Sequence, residues 1–247
     1  MLKKIISALI IGILSVTSFV GCSNKDEKNE SETTTAINSE NKYDNLNGEW
    51  ATKLTLDELK EKYASLLSQV EEKNRYYGLD YETKEDVKET KEETVKENYI
   101  YLDNENAEKN RLESAYFGMK TYGNDLSKGQ IIMKLVLNFD GEKALKEGKF
   151  DFGETSLAEY SSIMTKEEDR DYEIINEQII EKLKNKKGEG VVVNDINGLY
   201  EEFVVSKDYI VYRLETKKFD FTTNKDGNIT DTSTVTTNDE ENEEDNN

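Results

Sequence analysis

Gln130-Ile131-Ile132-Met133-Lys134-Leu135-Val136-Leu137-Asn138-Phe139 is the stretch on which the fold turns. Its middle is apolar at odd and even positions alike, and it reads as the strongest strand of the chain. A strand that is apolar on both sides belongs inside a sheet, covered on both faces, so 130–139 is expected to be a central strand. The neighbouring sequence keeps a period of two. In 112–122, Ala115, Phe117 and Met119 fall on one face and Tyr116 and Gly118 on the other. Tyr99-Ile100-Tyr101-Leu102 reads as the end of a further strand, and Asp103-Asn104-Glu105-Asn106 as a turn. Later, 190–193 is a short strand, while 199–206 and 209–219 flank a hairpin turn at Lys207-Asp208. Ile210, Tyr212 and Leu214 share one face of the last strand, with Val211 and Arg213 opposite.

Helical signals surround this β pattern. Thr55-Leu56-Asp57-Glu58 is a capping box, with Leu54 and Leu59 placed as a hydrophobic staple. Leu56, Leu59, Tyr63, Leu66, Leu67 and Val70 then form one apolar stripe, and Gly78 marks its end. The almost wholly charged stretch 83–98 predicts a solvated helix with Glu–Lys pairs, with a long polar strand as the alternative. Ser156-x-x-Glu159 and Thr165-x-x-Glu168 predict two more helix starts. The second leads into Tyr172, Ile175, Ile179 and Leu183, and Gly188 follows a lysine-rich end. Helix, about three strands, two helices and two or three strands make an α+β chain: an antiparallel sheet with helices packed on one face.

Composition narrows the chemistry. The 247 residues carry 33 basic and 53 acidic side chains and a net charge of −20, which repels phosphate and speaks against a nucleic-acid partner. Histidine is absent, which removes the usual general base near neutral pH and the commonest metal ligand. There is a single cysteine, Cys22, so no intrachain disulfide can form. Neither an enzyme, a metal site nor a cofactor is expected on these grounds. Proline is absent too, so turns fall to Gly, Asn and Asp.

The N-terminus opens Met1-Leu2-Lys3-Lys4, runs apolar from Ile5 and closes Phe19-Val20-Gly21-Cys22. This resembles a bacterial lipoprotein signal peptide ending in a lipobox, although Phe19 stands where that pattern most often has Leu. The resemblance implies cleavage between Gly21 and Cys22, with a diacylglycerol on the Cys22 sulfur and fatty acyl chains of the palmitate type. The protein would then sit lipid-anchored on the extracytoplasmic face of the cell membrane. The expected organisation is a signal peptide at 1–21, a lipidated cysteine and disordered stalk at 22–48, one α+β domain at 49–221, and a disordered acidic tail at 222–247.

Candidate sites are few. Asn224-Lys225-Asp226-Gly227-Asn228-Ile229 resembles the middle of a calcium loop, but Thr222 and Ser233 stand where acids are needed, so it reads as a turn. Arg213, alone in an apolar strand, pairs with a carboxylate, either a neighbouring acid or a ligand. Trp50 is the only tryptophan, and the 14 tyrosines fall mostly at core spacing; Tyr76, Tyr77, Tyr99 and Tyr101 are the ones to inspect for exposure. The expected function is a non-catalytic binding or assembly module, tethered to the membrane by its N-terminal lipid, with an extracytoplasmic protein or wall partner. The alternatives are a carboxylate-based wall glycan hydrolase and a small solute- or lipid-binding lipoprotein.

Overall fold

A computed structural model describes residues 42–43, 45–91, 93–223 and 229–231. Gly21, Cys22, the leader and most of both terminal segments lie outside the described residues, as does most of the calcium-like loop. After a short 3-10 turn at Glu49–Ala51 come α1 (Leu56–Tyr76), β1 (Glu82–Glu89), β2 (Thr94–Asp103), β3 (Arg111–Tyr122) and β4 (Lys128–Asn138). Then follow α2 (Gly141–Glu147), α3 (Ser156–Thr165), α4 (Glu173–Lys184), β5 (Gly190–Ile196), β6 (Leu199–Val205), β7 (Tyr209–Glu215), β8 (Phe219–Thr223) and β9 (Ile229–Asp231).

The α+β reading holds, with every strand pairing antiparallel. The main sheet runs β1-β2-β3-β4-β7-β6-β5, which puts β4 at its centre, as its two-sided apolar sequence requires. Two consecutive meanders, β1–β4 and β5–β7, meet where β4 pairs β7 from Ile132↔Glu215 to Asn138↔Tyr209. β7 and β8 follow the same side of β4, interrupted at 216–218. At the break, Thr216 N–H donates to Ile131 O at 3.0 Å and Thr216 Oγ1 accepts from Ile131 N–H at 3.0 Å, so one residue closes both backbone groups. β8 then rejoins β4 at Lys128 and Gly129.

The helices lie against the face bearing Phe117, Ile131, Met133, Leu135, Leu137, Phe203, Tyr212 and Leu214. α1 starts from the predicted capping box: Glu58 N–H donates to Thr55 Oγ1 at 3.2 Å and Thr55 N–H to Glu58 Oε2 at 2.7 Å. It buries Leu56, Leu59, Tyr63, Leu66 and Val70 and ends before Gly78, whose φ of +65° suits a residue without Cβ. Trp50, 1 % exposed, enters the same core and donates from Nε1 to Met164 O at 2.9 Å. Phe152 lies at the centre of an aromatic cluster, its ring centroid 4.9 Å from Tyr172, 5.0 Å from Phe203 and 5.1 Å from Tyr212.

Three expectations need correction. The stretch 83–98 is not a helix: its first half is β1 and its second half belongs to β2. As an edge strand, β1 has nearly every side chain in solvent, so it shows no alternation, and its pairing with the half-apolar β2 outweighs helix propensity. The Thr165 start does not exist. Thr165 ends α3, donating back to Ser161 O at 3.1 Å, and α4 begins only at Glu173. At α3 the cap position is Thr155, and Glu159 turns away to accept from Lys73 Nζ at 2.9 Å instead of closing a box. The short helix α2 was not anticipated; Asp140 caps it, its Oδ1 accepting from Lys143 N–H at 3.1 Å. The described residues also reach past 49–221: Lys42 and Tyr43 contact the domain, β8 runs to Thr223, and β9 follows at Ile229–Asp231.

Phe152→Ala should destabilise the domain by about 3–5 kcal/mol, since the surrounding rings cannot close the void. Chemical denaturation should show an earlier midpoint with an unchanged slope.

Candidate functional site

The side of the sheet facing away from the helices carries an unusual set of side chains for a surface. Strand register puts Tyr101, Tyr116, Lys134, Arg213 and Glu202 in one row across β2, β3, β4, β7 and β6. An adjacent row holds Tyr99, Gly118, Ile132, Glu215 and Tyr200, and a third holds Asp86, Glu97, Lys120 and Gln130. Ile132, Val136, Val211 and Tyr116 form a small apolar cluster among them. Gly118 is required here, because a Cβ at that position would sit 2.4 Å from Tyr116 Oη and 2.7 Å from Tyr99 Cβ.

The charges on this face neutralise one another. Glu97, 3 % exposed, accepts from Tyr116 Oη and is bridged by Lys120 at 3.1 Å and Lys88 at 3.4 Å. Burial pushes its carboxyl up, but the Tyr116 hydrogen bond and the two lysines outweigh that and hold it below the ordinary range. Glu215 is fully buried and receives Arg213 and Lys42, with Tyr43 Oη donating at 2.7 Å. Against the same burial penalty, Arg213 and Lys42 hold Glu215 ionised and its pKa low. Arg213 therefore satisfies the sequence expectation of a carboxylate partner, with Glu202 as a second acid at 3.9 Å. Lys134 is displaced from its usual state as well. Burial first, and then the nearby Arg213 and Lys120 charges, outweigh Glu202 and Glu215 and pull its ammonium down to about 8.

A second buried polar centre lies under the helices. Arg170 grips Glu201 with both guanidinium nitrogens at 2.6 and 2.7 Å. Tyr212 Oη donates to the same carboxylate at 2.8 Å, and Asn194 Nδ2 at 3.2 Å. The guanidinium stacks over the Tyr172 ring at 4.6 Å. Arg170 opens onto a groove of about 1380 Å³ between α2, the 148–155 loop and α4. Phe150, Tyr172 and Ile180 supply its apolar wall, while Asp140, Glu147, Asp151, Glu177 and Glu181 outnumber Lys143, Lys149 and Lys184.

Glu201 is saturated with donors, so it serves as an anchor for Arg170 and Tyr212 rather than as a base. Among the described residues, no group of three or more Asp, Glu, His or Cys lies close enough to hold a metal ion. Of the tyrosines singled out in the sequence, Tyr76 is 78 % exposed, whereas Tyr77 packs on Tyr160, and Tyr99 and Tyr101 are half-buried in the tyrosine rows. Glu97, Lys120, Lys134, Arg170 and Glu201 were missed. The available signal was a charged residue interrupting an apolar strand, as Lys134 does. Compared with protein-family models, curated proteins and solved structures, the chain matches none.

Two outcomes follow. Glu201→Gln should cost about 3–5 kcal/mol by leaving Arg170 buried without its counter-charge, while Arg170→Met combined with Glu201→Leu should recover most of the loss in denaturation experiments. Lys134 loses its proton near pH 8 when folded and near 10.4 when unfolded. Between these values the unfolded chain holds the extra proton, so stability rises with pH. Relative to Lys134→Met, the native chain should gain stability from pH 8 to about 10; a flat difference would contradict the assignment.

Proposed function

We propose that this chain is an extracytoplasmic lipoprotein whose single domain acts as a non-catalytic binding or assembly module. The observation that carries the reading is the leader, with Lys3 and Lys4, the apolar run and Gly21-Cys22 in the order a lipid-attachment site demands. Two or more acyl chains would hold the domain durably at the membrane surface, where one would not. The net charge of −20 would keep the domain off an anionic bilayer while the anchor holds it near.

The side-chain chemistry supports binding rather than turnover. The buried acids Glu97, Glu201 and Glu215 are each engaged by a cation and a tyrosine hydroxyl. Such groups stiffen a scaffold and offer no free base to a substrate. The polar groove beside Arg170 and the edges of the sheet remain accessible for contact with a partner.

The full-length chain should fractionate with membranes and carry a thioether-linked diacylglycerol on an N-terminal Cys22, read by mass spectrometry of the mature N-terminus. Cys22→Ala should lose the lipid and keep its leader, and so change in electrophoretic mobility. Membrane association and mobility both unchanged in that variant would remove the basis of the proposal.

A further inference from the structure

The two edges of the main sheet differ in kind. β1, at one edge, reads Glu82-Thr83-Lys84-Glu85-Asp86-Val87-Lys88-Glu89, a strand of alternating charge that discourages pairing with another chain. β5, at the other, reads Gly190-Val191-Val192-Val193-Asn194-Asp195-Ile196, with no lysine, no proline and no break in register against β6. Val191 is 46 % and Val193 39 % exposed, both on the face away from the helices.

The backbone of this edge is available. β5 and β6 are joined through Asn197 (φ +52°) and Gly198 (φ +81°), a two-residue turn of the kind that favours a tight hairpin. Its closing pair, Ile196↔Leu199, is hydrogen-bonded, and the alternation of an antiparallel ladder then directs Gly190, Val192 and Asn194 toward β6. Val191, Val193 and Asp195 turn their N–H and C=O groups outward, where no other described strand meets them.

We propose that the outer edge of β5 is a docking strand for an extended segment of a partner protein, which adds antiparallel to Val191–Asp195 and lengthens the main sheet. The inference rests on the reading of the domain as a binding module and names the mode of binding. Backbone groups at 191, 193 and 195 supply the hydrogen bonds, and Val191 and Val193 select β-branched apolar side chains at alternate positions. The net charge of −20 selects a neutral or cationic segment. It also argues against a second copy, because two protomers of that charge repel.

The probe is a synthetic peptide of the length of β5 that alternates valine with lysine, added to the full chain. Amides 191, 193 and 195 should become protected from hydrogen exchange. Val193→Pro removes one outward N–H without touching the ladder to β6, and should weaken binding roughly tenfold or more; Val193→Thr should bind as the parent does. If Val193→Pro fails to fold, amide protection in the unsubstituted chain decides alone. Absence of protection overturns the proposal, and so does equal binding by a folded Val193→Pro, which would leave a binding module with another surface. A dimer in light scattering that Val193→Pro dissociates assigns the edge to a second copy. Protection in the free chain that disappears on deleting 232–247 assigns it to the chain's own tail. Either result overturns the partner. Cys22 lipidation is read separately, so failure here leaves that reading standing.

Discussion

The hydrogen-bonded seam between β4 and β7 is the constraint on which the rest of the structure depends. The strands come from opposite halves of the domain, and their pairing turns two local meanders into one sheet. It also sets the rows of the outer face, bringing Lys134 opposite Arg213 and Ile132 opposite Glu215. A slip of β7 by one residue against β4 would send Tyr212 and Leu214 outward and drive Arg213 into the helical core. The apolar alternation of both strands therefore fixes the register, and the ion pairs are built on a frame that packing has already chosen. The Thr216 contacts with Ile131 close this seam just where β7 leaves β4.

The central strand, the faces of β3 and β7, the capping box of α1 and the stop at Gly78 were all legible in the sequence. Each rests on local chemistry or on a period that burial enforces directly. The edge strand β1 was not legible, because a strand with both faces in solvent carries no alternation. The start of α4 was misplaced because Thr165-x-x-Glu168 fits a capping box locally, while the preceding helix claims Thr165 as its last residue. The buried charges were harder still. Lys134 and Glu201 sit in apolar strands where nothing local reveals their partners; Arg170 reaches Glu201 from a loop far away in sequence, and the spacing of neither element records that meeting.

The polar networks on the two sides of the sheet share a design. On the helical side, Glu201 collects Arg170, Tyr212 and Asn194; on the other, Glu97 and Glu215 collect lysine or arginine together with tyrosine. Histidine and free thiols play no part in any of them. Tyrosine hydroxyls supply the second donor that a buried carboxylate needs, and their rings fill the space around it. In an acid-rich chain, this arrangement keeps the buried carboxylates compensated.

Lys42 and Tyr43 grip the chain's N-terminal approach at Glu215, the last residue of β7. That strand is bonded to a neighbour on either side, unlike β1 or β5. A pull transmitted along the N-terminal segment would therefore first meet side-chain contacts to an interior strand, and only then reach Trp50 and α1. The first resistance to such a load is a buried carboxylate in the middle of the sheet, not the backbone of its rim.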